Sequence, residues 1–463
     1  MTRPSRLTSI VVGGGIAGLV AARELVKKGD QVTLFEASGR LGGLISSVEL
    51  LNESIDSGAE AFAVSRPQML ELISELGLSG LVDRPTRSDA RIRIKGHTFP
   101  IPVGILGIPA SLDDPDVKAA IGADALTIAK NLDSKPWEFE ESPTIGELVE
   151  RRLGHSVLEQ LVAPVIGGVH ASDPRKLEVR VVAPGLMEAA ADAGSLVAGV
   201  AALRARASAP GSAVAGFRGG MHELVTRLAT DLKERGVTVS LNSAVQSLAV
   251  TERGFEVSIK GQPKLKSDRL ILAVPPHVAK DLSTSMAEVR TALGEINAVD
   301  VAVVVLAIES PTLSGQPLGS GVLVAEGDAT VLAKASTHST AKWSWLKERF
   351  GGDVEVIRLS YGRDGVLPVS EEDLIPTALK DATTLFGLRD SKLLDASVVI
   401  WRKSLIQPLP GHSAVLDRLT QAINDVSGLG VVGAGFGGNG ITGIIAKTLE
   451  TTSQIGVRYS HGE

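Results

Sequence analysis

Residues 10–37 read IVVGGGIAGLVAARELVKKGDQVTLFEA, and no other stretch constrains the fold as tightly. Leu7 to Val12 read as a buried strand, its apolar end at Ile10, Val11 and Val12. Gly13, Gly15 and Gly18 follow with the spacing G-x-G-x-x-G. Gly13 supplies a tight turn, Gly15 lets the backbone approach a pyrophosphate, and Gly18 lets the next helix pack close to the strand. That helix is expected from Ile16 to Lys28, with Leu19, Ala22, Leu25 and Val26 facing a sheet. Its N-terminus offers free N–H groups and a positive dipole end, so Gly14, Ile16 and Ala17 join the glycines as candidate phosphate-binding positions. The next run, QVTLFE, reads as a second strand, and Glu36 ends it, 18 residues beyond Gly18. A carboxylate there accepts hydrogen bonds from a ribose diol and repels a 2′-phosphate. The order strand, turn, helix, strand, acid predicts a dinucleotide-binding unit and leaves both NAD and FAD open.

Composition narrows the chemistry. The 463 residues suffice for two or three domains, and the chain contains no cysteine. Disulfides, thiolate metal sites, iron–sulfur clusters and a cysteinyl flavin link are therefore excluded. No zinc pattern, P-loop or serine triad is visible, and no metal site is expected. The formal charge of −6, without a basic run, argues against nucleic acid as a partner. No apolar stretch reaches the length of a transmembrane helix. The expected location is the cytoplasm, and loose attachment to a membrane surface stays compatible with the sequence.

The loop after Glu36 separates the two cofactors. ASGRLGG, residues 37–43, resembles the corresponding loop of the flavoprotein superfamily that includes amine oxidases, phytoene desaturases and protoporphyrinogen oxidases. The resemblance implies noncovalent FAD, with Ala37, Arg40, Gly43 and Leu44 along its pyrophosphate; an arginine fork suits phosphate oxygens. It further implies that Gly58, Ala59, Glu60 and Ala61, after Asp56, lie where backbone nears the flavin. Phe217 to Met221 resemble the family's Phe-x-Gly-Gly turn, and Val245, in a strand expected across VTVSLNSAVQSLAV, is implied to touch the adenine side through its backbone. Trp401, Gly411 and His412 match a C-terminal motif in which Gln407-Pro408-Leu409-Pro410 replaces the usual tyrosine-bearing turn. The glycine-dense segment Gly433 to Gly440 follows a last strand, Leu429 to Val432, and precedes a helix starting near Ile441. Here the resemblance places Gly435, Asn439, Gly440 and Ile441 beside the flavin ring, where a helix N-terminus stabilises the negative charge that develops on reduction. One FAD would thus tie together glycine clusters more than 400 residues apart.

The expected fold class is α/β: a Rossmann-like FAD-binding domain with a mixed-sheet substrate domain and an inserted helical domain. The FAD-binding domain is drawn from 1–84, 212–280 and 400–463, the helical insert from 85–211, and the second-sheet substrate domain from 281–399. ARIRIKGHTFP reads as a hairpin, Thr144 with Glu147 as a helix-capping box, and SVLEQLVAPVIGGVH as a helix ending in a Gly-Gly turn. DVAVVVLAIE, GSGVLVAE and EVIRLSYG read as strands flooring a substrate cavity.

The resemblance covers nearly the whole chain and is best to bacterial porphyrinogen oxidases. It implies oxidation of coproporphyrinogen III to coproporphyrin III with O2 as acceptor, in haem biosynthesis; the alternatives are a protoporphyrinogen IX oxidase, an amine oxidase and a non-catalytic flavin-fold carrier. Contact with a ferrochelatase is left open. An amine oxidase usually frames its substrate with aromatic residues, and this chain has only the tyrosines Tyr361 and Tyr459. Arg91, Arg93, Lys95, Lys334 and Lys342 are candidates to meet substrate carboxylates. No catalytic side-chain base is expected; His170 and His412 are expected to pack or to order turns.

Overall fold

The computed structural model describes residues 6–86, 89–138, 143–207, 214–389 and 391–456. The expected boundary at 211/212 and Tyr459 lie outside the described residues.

Short apolar segments assemble the first sheet. Its strands lie in the order Thr238–Ser240, Gln31–Phe35, Thr8–Val12, Arg269–Leu272, Leu429–Val431, all parallel. The alternating burial of Val32 and Leu34, and the near-continuous burial of Ile10, Val11 and Val12, are what a sheet covered on both faces demands. Helix Ile16–Lys27 covers one face with Leu19, Ala22 and Leu25, each wholly buried. Each such leucine contributes roughly 1.5–3 kcal/mol of burial. Helix Ile441–Gln454 packs in the same core through Ile441, Ile444 and Ile445, so both ends of the chain meet there. The segment expected as one strand across VTVSLNSAVQSLAV is two. Thr238–Ser240 ends the parallel sheet, Asn242 turns with φ of 52°, and Val245–Thr251 opens a separate three-stranded antiparallel sheet.

The second sheet is mixed and seven-stranded: Lys392–Ile406, Ala298–Glu309, Val354–Tyr361, Ala335–His338, Gly321–Val324, Ala90–Ile94, His97–Pro100. All its pairings are antiparallel except Gly321–Val324 with Ala90–Ile94. The hairpin 90–100, grouped with the helical insert from sequence, is therefore hydrogen-bonded into this sheet, and strand Lys392–Ile406 runs across residue 400. Pattern reading fails at both places because strand partners, not local composition, decide which layer a segment joins.

Alternation along the central strands gives the sheet two apolar faces. Val304, Leu306, Ile357, Leu359 and Tyr361 pack against helix Leu374–Phe386. Val303, Val305 and Val356 pack with Trp343, Leu50 and Ile55, and this brings the hairpin Ser47–Leu50/Glu53–Asp56 of the first layer onto the second sheet.

The helical region has its own core, including Leu148, Leu161, Ile166, Leu186 and Val200. Thr144 and Glu147 close a reciprocal capping box on helix Ile145–Leu153. Helix Ala163–His170 runs through Gly167 and Gly168 instead of ending there; it stops at Ala171, which adopts a left-handed conformation. The glycines serve close packing. A Cβ on Gly167 would lie 2.8 Å from Arg363 Nη1, and one on Gly168 would lie 2.5 Å from the Leu323 side chain.

Candidate functional site

The first glycine turn is sterically locked at two points and open at a third. Gly13 has φ of 107°, and a Cβ there would lie 2.4 Å from Ala273 O. A Cβ on Gly18 would lie 1.8 Å from Gly13 O, so only glycine lets helix Ile16–Lys27 pass this close to the turn. Gly15 meets nothing nearer than Gly43 Cα at 3.9 Å. It is the N-cap of the helix and makes no side-chain cap, which leaves the first-turn amides of Ile16, Ala17 and Gly18 for an anion.

The turn and the following loop are stitched by backbone. Gly14 N donates to Glu36 Oε2 at 2.7 Å, and Gly14 O accepts from Gly42 N at 2.8 Å. Glu36 Oε1 accepts from both Ser38 N and Ser38 Oγ. Ser243 N donates to Glu36 O at 2.8 Å, which brings the segment leading to Val245 beside Ala37 and the acid. Arg40 donates to Gly43 O at 3.0 Å and lies 5.9 Å from the centre of the Trp401 ring. Leu44 is 41% exposed, an unusual state for a leucine inside such a loop, and its carbonyl accepts from Ala59 N. A Cβ on Gly58 would lie 1.9 Å from Leu44 O and 3.4 Å from Trp401 Cζ2. Trp401 Nε1 donates to Ser57 O at 3.2 Å. These contacts join Gly13, Gly43 and Gly58 into one run of closely packed backbone, hereafter the trough, with Trp401 of the second sheet at its far end.

The C-terminal cluster adds a second helix N-terminus. Gly440 caps helix Ile441–Gln454 without a side-chain bond, and a Cβ there would meet nothing within 4 Å. The Asn439 side chain brackets Ile406: Oδ1 accepts from its N at 3.3 Å and Nδ2 donates to its O at 2.7 Å. Gly435 lies against the Ile406 side chain, and the ring of His412 is buried near the Gly435 backbone. Burial lowers the His412 pKa, so this histidine orders the turn as a neutral ring.

Two carboxylates on one loop behave oppositely. Asp56 is buried and accepts from Met221 N with both oxygens, at 3.0 and 2.9 Å, and so anchors the Gly219–Gly220 turn. Burial pushes its pKa up to about 7. Burial also disfavours the charge on Glu60, but Lys342 and Arg358 overcome it and hold that pKa at about 2. Arg358 was not singled out from sequence; the available signal is a lone arginine within the apolar strand EVIRLSY.

The five basic residues proposed to meet substrate carboxylates do not converge. Arg91 Nε donates to Leu318 O at 2.8 Å, and Arg93 pairs with Asp328 at 3.1 Å. Both alternate with Ile92, which points into the helical core, so they lie on the opposite face of the sheet from it. Lys95 sits in the hairpin turn with φ of 47°. Lys334 is buried and donates to Gly168 O at 2.8 Å, at the C-terminal end of helix Ala163–His170; burial, then the Arg363 charge, lowers its pKa to about 7. Lys342 is bound to Glu60. Burial, then Lys334, lowers the His170 pKa to about 4, and its buried Nδ1 has no partner. Among the described residues no group of acids and histidines could hold a metal ion, and no single helix is long and apolar enough to cross a membrane.

Residues 16–440 match the flavin containing amine oxidoreductase family. The chain is similar to the protein named coproporphyrinogen III oxidase of Mycobacterium tuberculosis H37Rv, 32% identical with 96% of each chain covered. It is similar to human protoporphyrinogen oxidase, 30% identical over 67% of this chain and 69% of that one. A crystal structure of a protein from Exiguobacterium sp. 255-15 superposes with a TM-score of 0.84, 22% identity and coverage of 98% of this chain and 99% of the other, which shows the same fold. With two glycine-lined helix N-termini packed in one core, and with this match running along most of its length, the chain belongs to the flavin-containing amine oxidoreductase family and is an FAD-dependent oxidoreductase.

Proposed function

We propose that this chain oxidises coproporphyrinogen III to coproporphyrin III, reducing three O2 to three H2O2. Six hydrogens leave the substrate as three hydride-and-proton pairs, and each pair reduces one O2, so electrons and atoms balance. The observation that carries the reading is the match over 96% of the chain to a relative named for this activity.

The trough fits FAD on its own chemistry: an open space at Gly15, uncapped amides behind it, and a carboxylate at the end of the second strand. In this reading Gly13, Gly14, Gly15, Ile16, Ala17 and Gly18 hold the pyrophosphate, with Arg40, Gly43 and Leu44 along it. Glu36 and Ala37, with Val245 beyond them, hold the adenosine half. Gly58, Ala59, Glu60, Ala61, Trp401, Gly435, Asn439, Gly440 and Ile441 surround the flavin. Bound there, FAD supplies hydride acceptance from the substrate and electron transfer to O2. The chain's residues position and exclude water. The Asn439 clasp on Ile406 and the Trp401 bond to Ser57 fix the substrate side of the trough. No side chain is assigned a proton-transfer role: at neutral pH His170 is an uncharged ring with one nitrogen buried, and burial disfavours the charge on His412.

The protoporphyrinogen reading keeps its place through the 30% identity to the human enzyme of that name. The amine oxidase reading is disfavoured because Tyr361 is buried under the second sheet, where its hydroxyl donates to Asp381 at 3.0 Å. A cytoplasmic location and product handover to a ferrochelatase, the class of enzyme that metallates a porphyrin, go with the proposed reaction.

The test presents anaerobically prepared coproporphyrinogen III and protoporphyrinogen IX to the FAD-loaded protein in air and follows porphyrin fluorescence. Faster oxidation of coproporphyrinogen is expected. Preference for protoporphyrinogen would substitute that substrate, and failure to accelerate either would overturn the proposal.

A further inference from the structure

Glu60 takes one partner from the second sheet, on strand Val354–Tyr361, and the other from the short helix Ser339–Lys342 that connects two of its strands. Oε1 accepts from Lys342 Nζ, and Oε2 accepts from Arg358 Nη1. The three side chains are only 11%, 17% and 10% exposed. Arg358 also donates through Nη2 to Gly58 O at 2.5 Å, so the cluster grips the backbone of the trough itself. One carboxylate lies between two cations, which leaves a surplus of one positive charge in a poorly hydrated place. A clamp between the layers would need only one ion pair. The second cation adds desolvation cost. The neighbouring carboxylate, Asp56, accepts from Met221 N and has its pKa pushed up to about 7 by burial, so it does not fully pair that cation, whose presence calls for another reason.

The trough gives the direction of that reason. If Glu36 holds the ribose and the helix at Gly15 holds the pyrophosphate, the other half of the dinucleotide must run away from Glu36. The run of backbone contacts passes Gly43 and the exposed Leu44 to Gly58, where Arg358 donates to the carbonyl. We propose that the Lys342–Glu60–Arg358 triad is an electrostatic tuning element, whose surplus positive charge stabilises the reduced, negatively charged form of bound FAD and raises its reduction potential. The proposal rests on the reading that FAD occupies this trough. Because Glu60 is held ionised, the surplus of the triad itself stays at one charge through the neutral range, and ionisation of the neighbouring Asp56, whose pKa is pushed up to about 7, offsets part of it as the pH rises. Fixed charge near the ring is one of the few means a protein has to alter flavin electronics.

The experiment compares FAD-loaded wild type, Lys342→Met, Glu60→Gln and the double variant, which carry triad charges of plus one, zero, plus two and plus one by removal of the charges in the two pairs. Two readouts are taken: the midpoint potential of the bound FAD and the affinity for sulfite, an anion that adds to oxidised flavins more tightly when positive charge is near. Lys342→Met is expected to weaken sulfite binding about tenfold and to lower the potential by about 30 mV, the two-electron equivalent of a tenfold change. Glu60→Gln is expected to shift both the other way by a similar factor, and the double variant to return close to wild type. A purely structural clamp would move both single variants in the same direction and the double variant further, and that pattern would overturn the proposal. Should Glu60→Gln fail to fold, Arg358→Met takes its place. It must reproduce the direction of Lys342→Met in both readouts, and an unchanged potential in both neutral variants would equally overturn the proposal. Wild-type protein that holds no FAD would instead refute the trough reading on which this one stands.

Discussion

The trough and the wall that closes its far end are built in opposite ways. From Gly13 to Gly58 the surface is backbone: glycines, amides and carbonyls, kept bare because a Cβ on Gly13, Gly18 or Gly58 would strike a carbonyl oxygen. Beyond Gly58 the surface is side chain: Trp401, Arg358, Lys342 and Glu60, from segments far apart in the chain. Asp56 and Glu60, four residues apart in the sequence, mark the boundary. Asp56 faces the backbone amide of Met221, and burial dominates its titration. Glu60 faces two cations, and they dominate instead. Backbone donors alone do not compensate for taking a carboxylate out of water, whereas two adjacent cations do.

The largest expected effect breaks the backbone side. Gly18→Ala forces a methyl group against Gly13 O, a contact of 1.8 Å with main chain on both sides. It should cost more than about 4 kcal/mol, read in chemical denaturation, because neither partner is a flexible side chain. If Gly18→Ala folds normally, the turn is not rigid and the contrast fails.

The next effect separates the two carboxylates by pH. The Asp56 pKa is raised on folding from 3.8 to about 7, so its contribution to stability is fully present below pH 4 and is lost as the pH rises toward 7. Asp56→Asn should remove a decline of about 4 kcal/mol over that window, by 1.36 kcal/mol per unit. Glu60 has the opposite sign. Its pKa is lowered from 4.5 to about 2, so its contribution is present above pH 4.5 and is lost as the pH falls toward 2. Wild-type-minus-variant stability curves for Asp56→Asn and Glu60→Gln should therefore slope in opposite directions, and parallel slopes would erase the distinction.

A smaller effect tests the open glycine. Gly15→Ala meets no atom nearer than 3.9 Å and already has an ordinary backbone conformation, so folding should be unchanged. The added methyl fills the space left for pyrophosphate, and FAD affinity should fall about thirtyfold, roughly 2 kcal/mol; titration of the apoprotein with FAD measures it. The smallest effect lies outside both surfaces. Arg91→Ala, at a half-buried side chain hydrogen-bonded to a loop carbonyl, should change stability by less than about 0.5 kcal/mol and leave KM for coproporphyrinogen unaltered in steady-state assays. A large rise in KM would return Arg91 to the substrate side.

The sequence was most informative where function depends on local order. Strand, turn, helix, strand and acid occupy 29 consecutive positions from Thr8 to Glu36, and each glycine's task follows from its spacing. The Thr144–Glu147 box was legible for the same reason. Elsewhere the same kind of reading misplaced elements. Gly167 and Gly168 look like a helix stop, yet they are the small residues that let a helix lie on Arg363 and Leu323. Arg91 and Arg93 look like carboxylate receptors, yet strand alternation turns them away from the helical core.

What the sequence by itself determined is the βαβ unit, the acid at Glu36 and the glycine-rich second helix start; the choice of FAD over NAD came from the resemblance of the 37–43 loop and the C-terminal glycine cluster to a flavoprotein superfamily. The first three rest on periodicity and on steric limits that act within a few residues. Only the tertiary structure decided that Glu60 would meet Lys342 and Arg358, 282 and 298 residues away, and that the fifteen-residue strand ending at Ile406 would bring Trp401 onto Ser57. Such encounters depend on sheet order and register, and a single-residue slip sends every side chain of a strand to the other face. Local spacing carries no record of that choice.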